Sequence, residues 1–391
     1  MGTIEDLGAY LPQMTEWRRH LHAHPETAFE EVGTARFVAE RLRAFGVDEV
    51  HEGIARTGVV GVIRGQPGPR AIGLRADLDA LDMQEGTGLP WSSTRPGKHH
   101  ACGHDGHTTM LLGAARHLAA TRRFTGTVVL IFQPAEENEG GGRVMVEEGL
   151  FDRFPVESVF GMHNIPGIEA GTFAIRPGPM MASYDIFEIT ITGRGAHGAM
   201  PHHGIDPITL GAGLVQSLQT IVSRNIDPLE PAVLSVTKFH SGTAWNIIPN
   251  EAVIGGTVRA FSEDVQAQIE RRIRELCAGA ATAHGATLQV RYERRYPPTV
   301  NTAAEAELCA KVAEGLVGAG RVKRELKPAM GSEDFAWMLR ARPGAYMWIG
   351  NGTGQSGGCM VHNPGYDFND AVLPIGAAYW VRLAETALAA G

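Results

Sequence analysis

Four places in the sequence gather side chains able to hold a metal or move a proton. His99-His100-Ala101-Cys102-Gly103-His104-Asp105-Gly106-His107 packs a thiol and several imidazoles into nine positions. Thiolate and imidazole are natural ligands of a borderline cation such as Zn²⁺, and Gly103 and Gly106 let the chain bend so that Cys102 and His104 converge. Taken alone, the segment reads equally well as a helix start carrying surface histidines. Gln133-Pro134-Ala135-Glu136-Glu137 follows an apolar run. Consecutive side chains leaving a strand point in different directions, so one carboxylate can bind a metal while the other activates a water. The alternative is a solvated acidic turn, although Pro134 and Gly140-Gly141-Gly142 suit a shaped loop. His163 in Phe160-Gly161-Met162-His163-Asn164 and His362 in Met360-Val361-His362-Asn363-Pro364-Gly365 complete the set. Each of these two is by itself an ordinary structural histidine. One cysteine, three histidines and two carboxylates drawn from separate loops fit a two-metal hydrolytic site.

Two other motifs lack the context they need. Gly193-Arg194-Gly195-Ala196-His197-Gly198 has dinucleotide-binding spacing, but Met200-Pro201 interrupts the required helix and no acidic residue follows about 20 positions later. Gly354-Gln355-Ser356-Gly357-Gly358 has nucleophile-elbow spacing around Ser356, with no helix after it.

Alternating elements must position the four clusters. Val32, Ala35, Val38, Ala39, Leu42 and Phe45 fall at helical spacing, with Gly46 placed to stop the helix. Strands are predicted over 57–65 and 71–79, a helix over 107–120, a buried strand over 127–133, and strands over 156–163 and 171–176. This alternation predicts an α/β sheet with helices on its faces. The pattern changes near Pro177–Met181, after which 184–193 alternates apolar and polar residues. A helix over 207–222, strands over 233–239 and 252–259, a helix over 264–284 and a strand over 287–293 make two strand-helix-strand units, as in a small ferredoxin-like α+β domain. A helix over 304–317, a strand over 346–349 and a final helix return to the first domain. The expected division is 1–181 and 297–391 for a catalytic domain, with 182–296 inserted.

The 391 residues include 35 Lys+Arg and 43 Asp+Glu, a net charge of −8, with 43% hydrophobic and 20% charged residues. That composition suits a folded chain with a sizeable core. It offers no basic footprint for nucleic acid or an anionic membrane, and no run long enough for a spanning helix. The opening Met-Gly-Thr-Ile-Glu-Asp has no secretory pattern. The four scattered cysteines form no disulfide framework, so a cytoplasmic chain is expected.

With these residues placed, the chain resembles the M20 metallopeptidase family, in its amidohydrolase branch of hippurate hydrolases, aminoacylases and indole-acetyl-amino-acid hydrolases. The matching stretches include Trp17–Glu26, Leu74–Leu81, His100–His107, Phe132–Glu137, Gly161–Asn164, Gly195–Pro201, Trp245–Pro249, Gly256–Arg259, Gly331–Phe335 and His362–Phe368. The resemblance implies a zinc-exopeptidase-like α/β catalytic domain with the inserted domain as lid and dimerisation surface. It implies Cys102, His104, Glu137, His163 and His362 as ligands of two divalent ions, with Cys102 bridging and Glu136 as general base. Zn²⁺ is favoured, with Mn²⁺, Co²⁺ or Ni²⁺ as alternatives. His107 is then not a ligand, Asp79 orients ligands through hydrogen bonds, and Asp77 either does the same or is structural at the strand end. His20, His22 and His24 read as helix-end packing.

The resemblance further implies that His197 polarises the scissile carbonyl and that Asn246 and Arg259 hold the substrate. It gives Glu333 and Asp334 no role. The substrate class implied is an N-acyl-L-amino acid, and the assembly a homodimer or homotetramer. A dipeptidase on the same centre, or a binding protein that has lost catalysis, are the competing readings.

Overall fold

The computed structural model describes residues 4–137 and 139–389. They divide into two compact units, one drawn from Met1–Met180, Val300–Lys327 and Asp334–Gly391, the other from Met181–Thr299 and Pro328–Glu333. Pro328–Glu333, expected with the catalytic domain, groups with the second unit. Its main chain accepts hydrogen bonds from the Ala182 N–H at Ala329 (3.0 Å) and at Gly331 (2.9 Å).

The first unit is built on an eight-stranded mixed sheet. Its order is Glu49–Ile54, Gly58–Arg64, Thr125–Gln133, Gln66–Asp77, Ser158–Pro166, Gly344–Gly352, Phe173–Ala174 and Val322–Lys323. The four strands from Thr125–Gln133 through Gly344–Gly352 in that order run parallel. They read as continuous apolar runs because both faces are covered: Val128, Leu130, Phe132, Ile72 and Leu74 are all fully buried. Register sets Asp77 opposite Gln133 and His163 opposite Trp348. The C-terminal ends of the parallel strands therefore meet along one edge, where open α/β sheets place their sites.

The helix His104–Thr121 packs on this sheet and against the helices Leu11–Ala23 and Leu373–Ala387. It is apolar on every side (Met110, Leu111, Leu112, Ala114, Ala115 and Leu118), as a helix covered all round must be. It begins three residues before the expected start, because Gly103 at φ 88° turns the chain directly into the first turn. The strands Glu49–Ile54 and Val322–Lys323, unseen in the sequence, lie at the sheet's two edges and are largely half-exposed, so neither carries an apolar run. The strand expected over 171–176 shrinks to Phe173–Ala174.

The second unit is a four-stranded antiparallel sheet in the order Ala232–Ser241, Glu251–Ala260, Tyr184–Thr192, Thr287–Tyr296. With the helices Pro207–Thr220 and Glu263–His284 this is the ferredoxin-like β-α-β-β-α-β order. Phe187, Ile189 and Ile191 alternate inward to meet Leu210, Leu214, Leu218, Ile269 and Ile273. Asp206 caps the first helix through the Ile208 N–H (2.8 Å), and Ser262 caps the second through the Val265 N–H (3.2 Å). No helix among the described residues is long and apolar enough to cross a membrane.

Candidate metal centre

Five side chains meet in the first unit at the C-terminal edge of its sheet. Cys102 lies in the loop before the long helix, and His104 is that helix's first residue. Glu137 sits in the turn after Thr125–Gln133, His163 is within Ser158–Pro166, and His362 is in the loop following Gly344–Gly352. Cys102 Sγ is 3.2 Å from His163 Nε2, and His362 Nε2 is 3.1 Å from Glu137 Oε1. Ligand atoms of Cys102, His104 and Glu137 all lie within 4.8 Å of one another.

The supporting bonds fix which nitrogen of each ring is available. His104 Nδ1 is 3.2 Å from Asp79 Oδ1, while its Nε2 is buried with no hydrogen-bond partner. A buried donor or acceptor left this way is costly, and here it faces a thiol and a carboxylate. The remaining nitrogen of His163 is occupied by the Asn164 carbonyl at 2.5 Å, leaving Nε2 toward Cys102. His107 has no free nitrogen. Its Nε2 accepts from the Asn164 N–H (2.9 Å), so Nδ1 carries the proton and donates to Asp77 Oδ1 at 2.6 Å. It can brace the centre but not bind an ion without breaking one of these bonds.

The electrostatics follow from burial and from crowded carboxylates. Burial, with Glu137, Glu136 and Asp77 nearby, pushes the Cys102 thiol well above its usual value. Burial opposes the charged form of His104, yet Asp77, the Asp79 hydrogen bond and Glu137 outweigh it and raise the ring to about 10. Burial and then His107 hold His163 well below the ordinary histidine value. For His362 the Glu137 hydrogen bond raises the value. Such a field is what a cation neutralises: it would turn the thiol into a thiolate and the imidazoles into neutral ligands.

Close packing sets the Cys102 loop. The Asn164 amide donates to the Cys102 carbonyl (2.7 Å), and the Tyr366 hydroxyl donates to Asn164 Oδ1 (2.8 Å). A Cβ on Gly103 would lie 2.3 Å from Asn164 Nδ2 and 2.4 Å from the Tyr366 hydroxyl.

Glu136 is buried, and its Oε1 accepts from the Asp334 N–H at 3.4 Å. Asp334, given no role by the sequence, accepts from Gln133 Nε2 (2.7 Å), the Gly142 N–H (2.7 Å) and buried Arg75 (3.2 Å). His22 also departs from the helix-end packing expected of it. It is fully buried, with Nδ1 2.8 Å from Asp105 and Nε2 3.4 Å from Glu85. The available signal was the spacing of Arg18 and His22, four apart on one helix face; both meet Asp105. His20 and His24 do pack, their rings tilted by 35° with centroids 4.5 Å apart at the helix end.

His197, Asn246 and Arg259 belong to the second unit. Ala196–His197 pairs as a short strand with Ile247–Ile248, and the Gly198 N–H donates to the Asn246 carbonyl at 2.7 Å. His197 Nδ1 accepts from the Ala199 N–H (3.1 Å), so the neutral ring holds its proton on Nε2. Arg259 donates to Ser332 Oγ (2.9 Å), its guanidinium 4.2 Å over the Tyr184 ring.

Comparison with known proteins extends this geometry. Residues 73–386 match the model of the peptidase family M20/M25/M40. The hippurate hydrolase of Campylobacter jejuni is 41% identical over 367 residues, 94% of each chain. An N-acyl-L-amino acid amidohydrolase of Geobacillus stearothermophilus is 46% identical over 73% of this chain and 77% of its own. A solved Bacillus subtilis structure, described as a dinuclear metal binding peptidase from the M20 family, superposes with TM-score 0.85 at 33% identity, covering 97% of this chain and 99% of that one. The chain belongs to peptidase family M20/M25/M40.

Proposed function

We propose that this chain is a metal-dependent amidohydrolase that splits N-acyl-L-amino acids into a carboxylic acid and a free amino acid. The observation that carries the reading is the gathering of Cys102, His104, Glu137, His163 and His362 beside buried Glu136. Relatives named as a hippurate hydrolase and an N-acyl-L-amino acid amidohydrolase support the substrate class.

The donor set fits a pair of divalent cations, as in the relative described as dinuclear. His104 Nε2, which makes no hydrogen bond and lies 3.7 Å from Asp77, and the thiol in its carboxylate field are what such ions would satisfy. Cys102 neighbours both His163 and the His104–Glu137 pair, a position suited to bridging. Thiolate with imidazole favours Zn²⁺, and Mn²⁺, Co²⁺ or Ni²⁺ also suit these donors. When bound, the ions supply Lewis acidity toward a carbonyl oxygen and make water a competent nucleophile near neutral pH.

The protein's own groups do the rest. Glu136 removes the proton of the attacking water and delivers it to the departing amine nitrogen. His197, protonated on Nε2, donates a hydrogen bond to the carbonyl oxygen as negative charge builds there. Arg259, with Asn246, holds the amino-acid carboxylate, for which a planar guanidinium is well shaped. A reducing cytoplasmic setting that preserves the Cys102 thiol, and a homodimer or homotetramer formed through the second unit, belong to the same reading.

The test is a metal-supplemented activity panel of acetyl-, benzoyl- and indole-acetyl-amino acids beside simple dipeptides, with wild type and Glu136→Gln. Turnover of the acyl-amino acids is expected, with the variant keeping its metals and losing most activity. Faster cleavage of dipeptides would shift the reading to an exopeptidase. Tight binding of acyl-amino acids without turnover would make the chain a binding protein.

A further inference from the structure

We propose that Glu31 is a positioning residue for the turn that presents Glu136 and Glu137, holding Ala135 in a left-handed conformation that an alanine does not favour. The inference rests on the roles proposed above for those two glutamates.

Ala135 has φ 52°, a conformation in which its methyl crowds the following main chain. Nothing in the residue's own chemistry selects that state, so the surroundings must impose it. Both of its main-chain groups are tied. The Ala135 N–H donates to Glu31 Oε1 at 2.9 Å, and its carbonyl accepts from the Gly141 N–H at 2.9 Å. Gly141 can approach only because it has no side chain, since a Cβ there would sit 1.8 Å from the Pro134 oxygen.

Glu31 is itself rigidly placed. It is fully buried and precedes the helix Val32–Ala44, whose Ala35 N–H its carbonyl accepts at 2.8 Å. Its second oxygen accepts from the Thr57 hydroxyl at 2.5 Å. Neither Glu31 nor Thr57 is among the side chains gathered at the centre. The turn enters against this brace and leaves against Asp334, which takes the Gly142 N–H. A carboxyl fixed on a helix start thus sets the φ of the residue immediately before the base and its neighbouring ligand. Losing the brace lets Ala135 relax toward negative φ, which swings Glu136 and Glu137 away together.

The experiment is a double-mutant cycle between Glu31→Leu and Ala135→Gly, with Glu31→Gln and Thr57→Val as gentler variants. Glycine adopts positive φ without penalty, so it should make the brace dispensable. Glu31→Leu is expected to lower kcat about 100-fold with KM nearly unchanged, an effect typical of misplaced catalytic groups. Glu31→Gln, whose amide oxygen can still accept from the Ala135 N–H while its NH2 donates to a turned Thr57 hydroxyl, should stay within about threefold of wild type. Adding Ala135→Gly to Glu31→Leu should recover at least about tenfold, the coupling that a cycle isolates. If Glu31→Leu does not fold, Thr57→Val with and without Ala135→Gly gives the same cycle with a smaller loss.

Amide hydrogen exchange at residue 135 supplies a readout independent of turnover. Exchange there should quicken selectively in Glu31→Leu and Thr57→Val while the central strands keep wild-type protection. A wild type that hydrolyses no acyl-amino acid, with variants that still show this selective exchange, would overturn the proposed function and leave the brace standing. Unchanged exchange at residue 135, or losses that Ala135→Gly does not mitigate, would overturn the brace.

Discussion

The Asp79 carboxylate binds Glu137 through the main chain, accepting its N–H at 2.9 Å, while its other oxygen lies 3.2 Å from His104 Nδ1. One side chain therefore aims two of the proposed ligands, one through its ring and the other through its backbone. Replacing Asp79 with alanine should free both. Outer groups of this kind typically contribute about 10- to 100-fold in metal affinity, so Asp79→Ala should bind divalent ions weaker by that factor while keeping its fold. Competition against a chromophoric chelator, with circular dichroism as the control, measures it, and unchanged affinity would refute the role.

Gly103→Ala should be among the most damaging single-methyl changes in the molecule. The new Cβ would meet Asn164 and Tyr366 at 2.3 and 2.4 Å, on a backbone at φ 88°. Left-handed strain alone costs about 1–3 kcal/mol, and the clash adds to it. The variant should show a lowered midpoint in thermal unfolding and a loss of metal per chain. A soluble Gly103→Ala protein with full metal content would contradict the packing described for the Cys102 loop.

His22 predicts a pH dependence of stability. Burial disfavours its charge, but hydrogen bonds to Asp105 and Glu85 outweigh burial and raise it from 6.5 to about 9. The folded chain then holds this proton more tightly than the unfolded chain does. Its contribution is complete below pH 6.5 and is lost as the pH rises through about 9. At about 1.4 kcal/mol per pH unit, the full span is worth about 3 kcal/mol. Urea unfolding of wild type and His22→Gln between pH 6 and 10 should show a decline in the wild type that is flattened in the variant.

His197→Ala should lower kcat about 100-fold, as expected for loss of one donor to a developing oxyanion, without altering metal content. His197→Gln, which restores an N–H donor on a shorter reach, should recover part of that loss. Equal kcat in all three proteins would remove His197 from the mechanism.

The periodic elements were legible because their signal is local. The alternation of Tyr184–Thr192 and the apolar run ending at Gln133 each follow from which faces must be buried, and both strands are where that pattern puts them. The edge strands Glu49–Ile54 and Val322–Lys323 were not legible, since an edge needs little hydrophobic patterning and is defined by its neighbour.

The sequence alone determined the chemical inventory: a thiol, imidazoles and paired carboxylates placed after strands and before a helix, with glycines where the chain must bend. Only tertiary structure decided how each member is used. His107 is as metal-capable in sequence as His104, yet the Asn164 N–H and Asp77 occupy both of its nitrogens, while His104 keeps one buried without a hydrogen bond. Asp334, 198 positions from Glu136, and Glu31, 104 positions from Ala135, act through hydrogen bonds that exist only once the sheet has formed. Ligand type is a property of a residue, but protonation, orientation and strain depend on what is packed against it, and sequence spacing does not encode that.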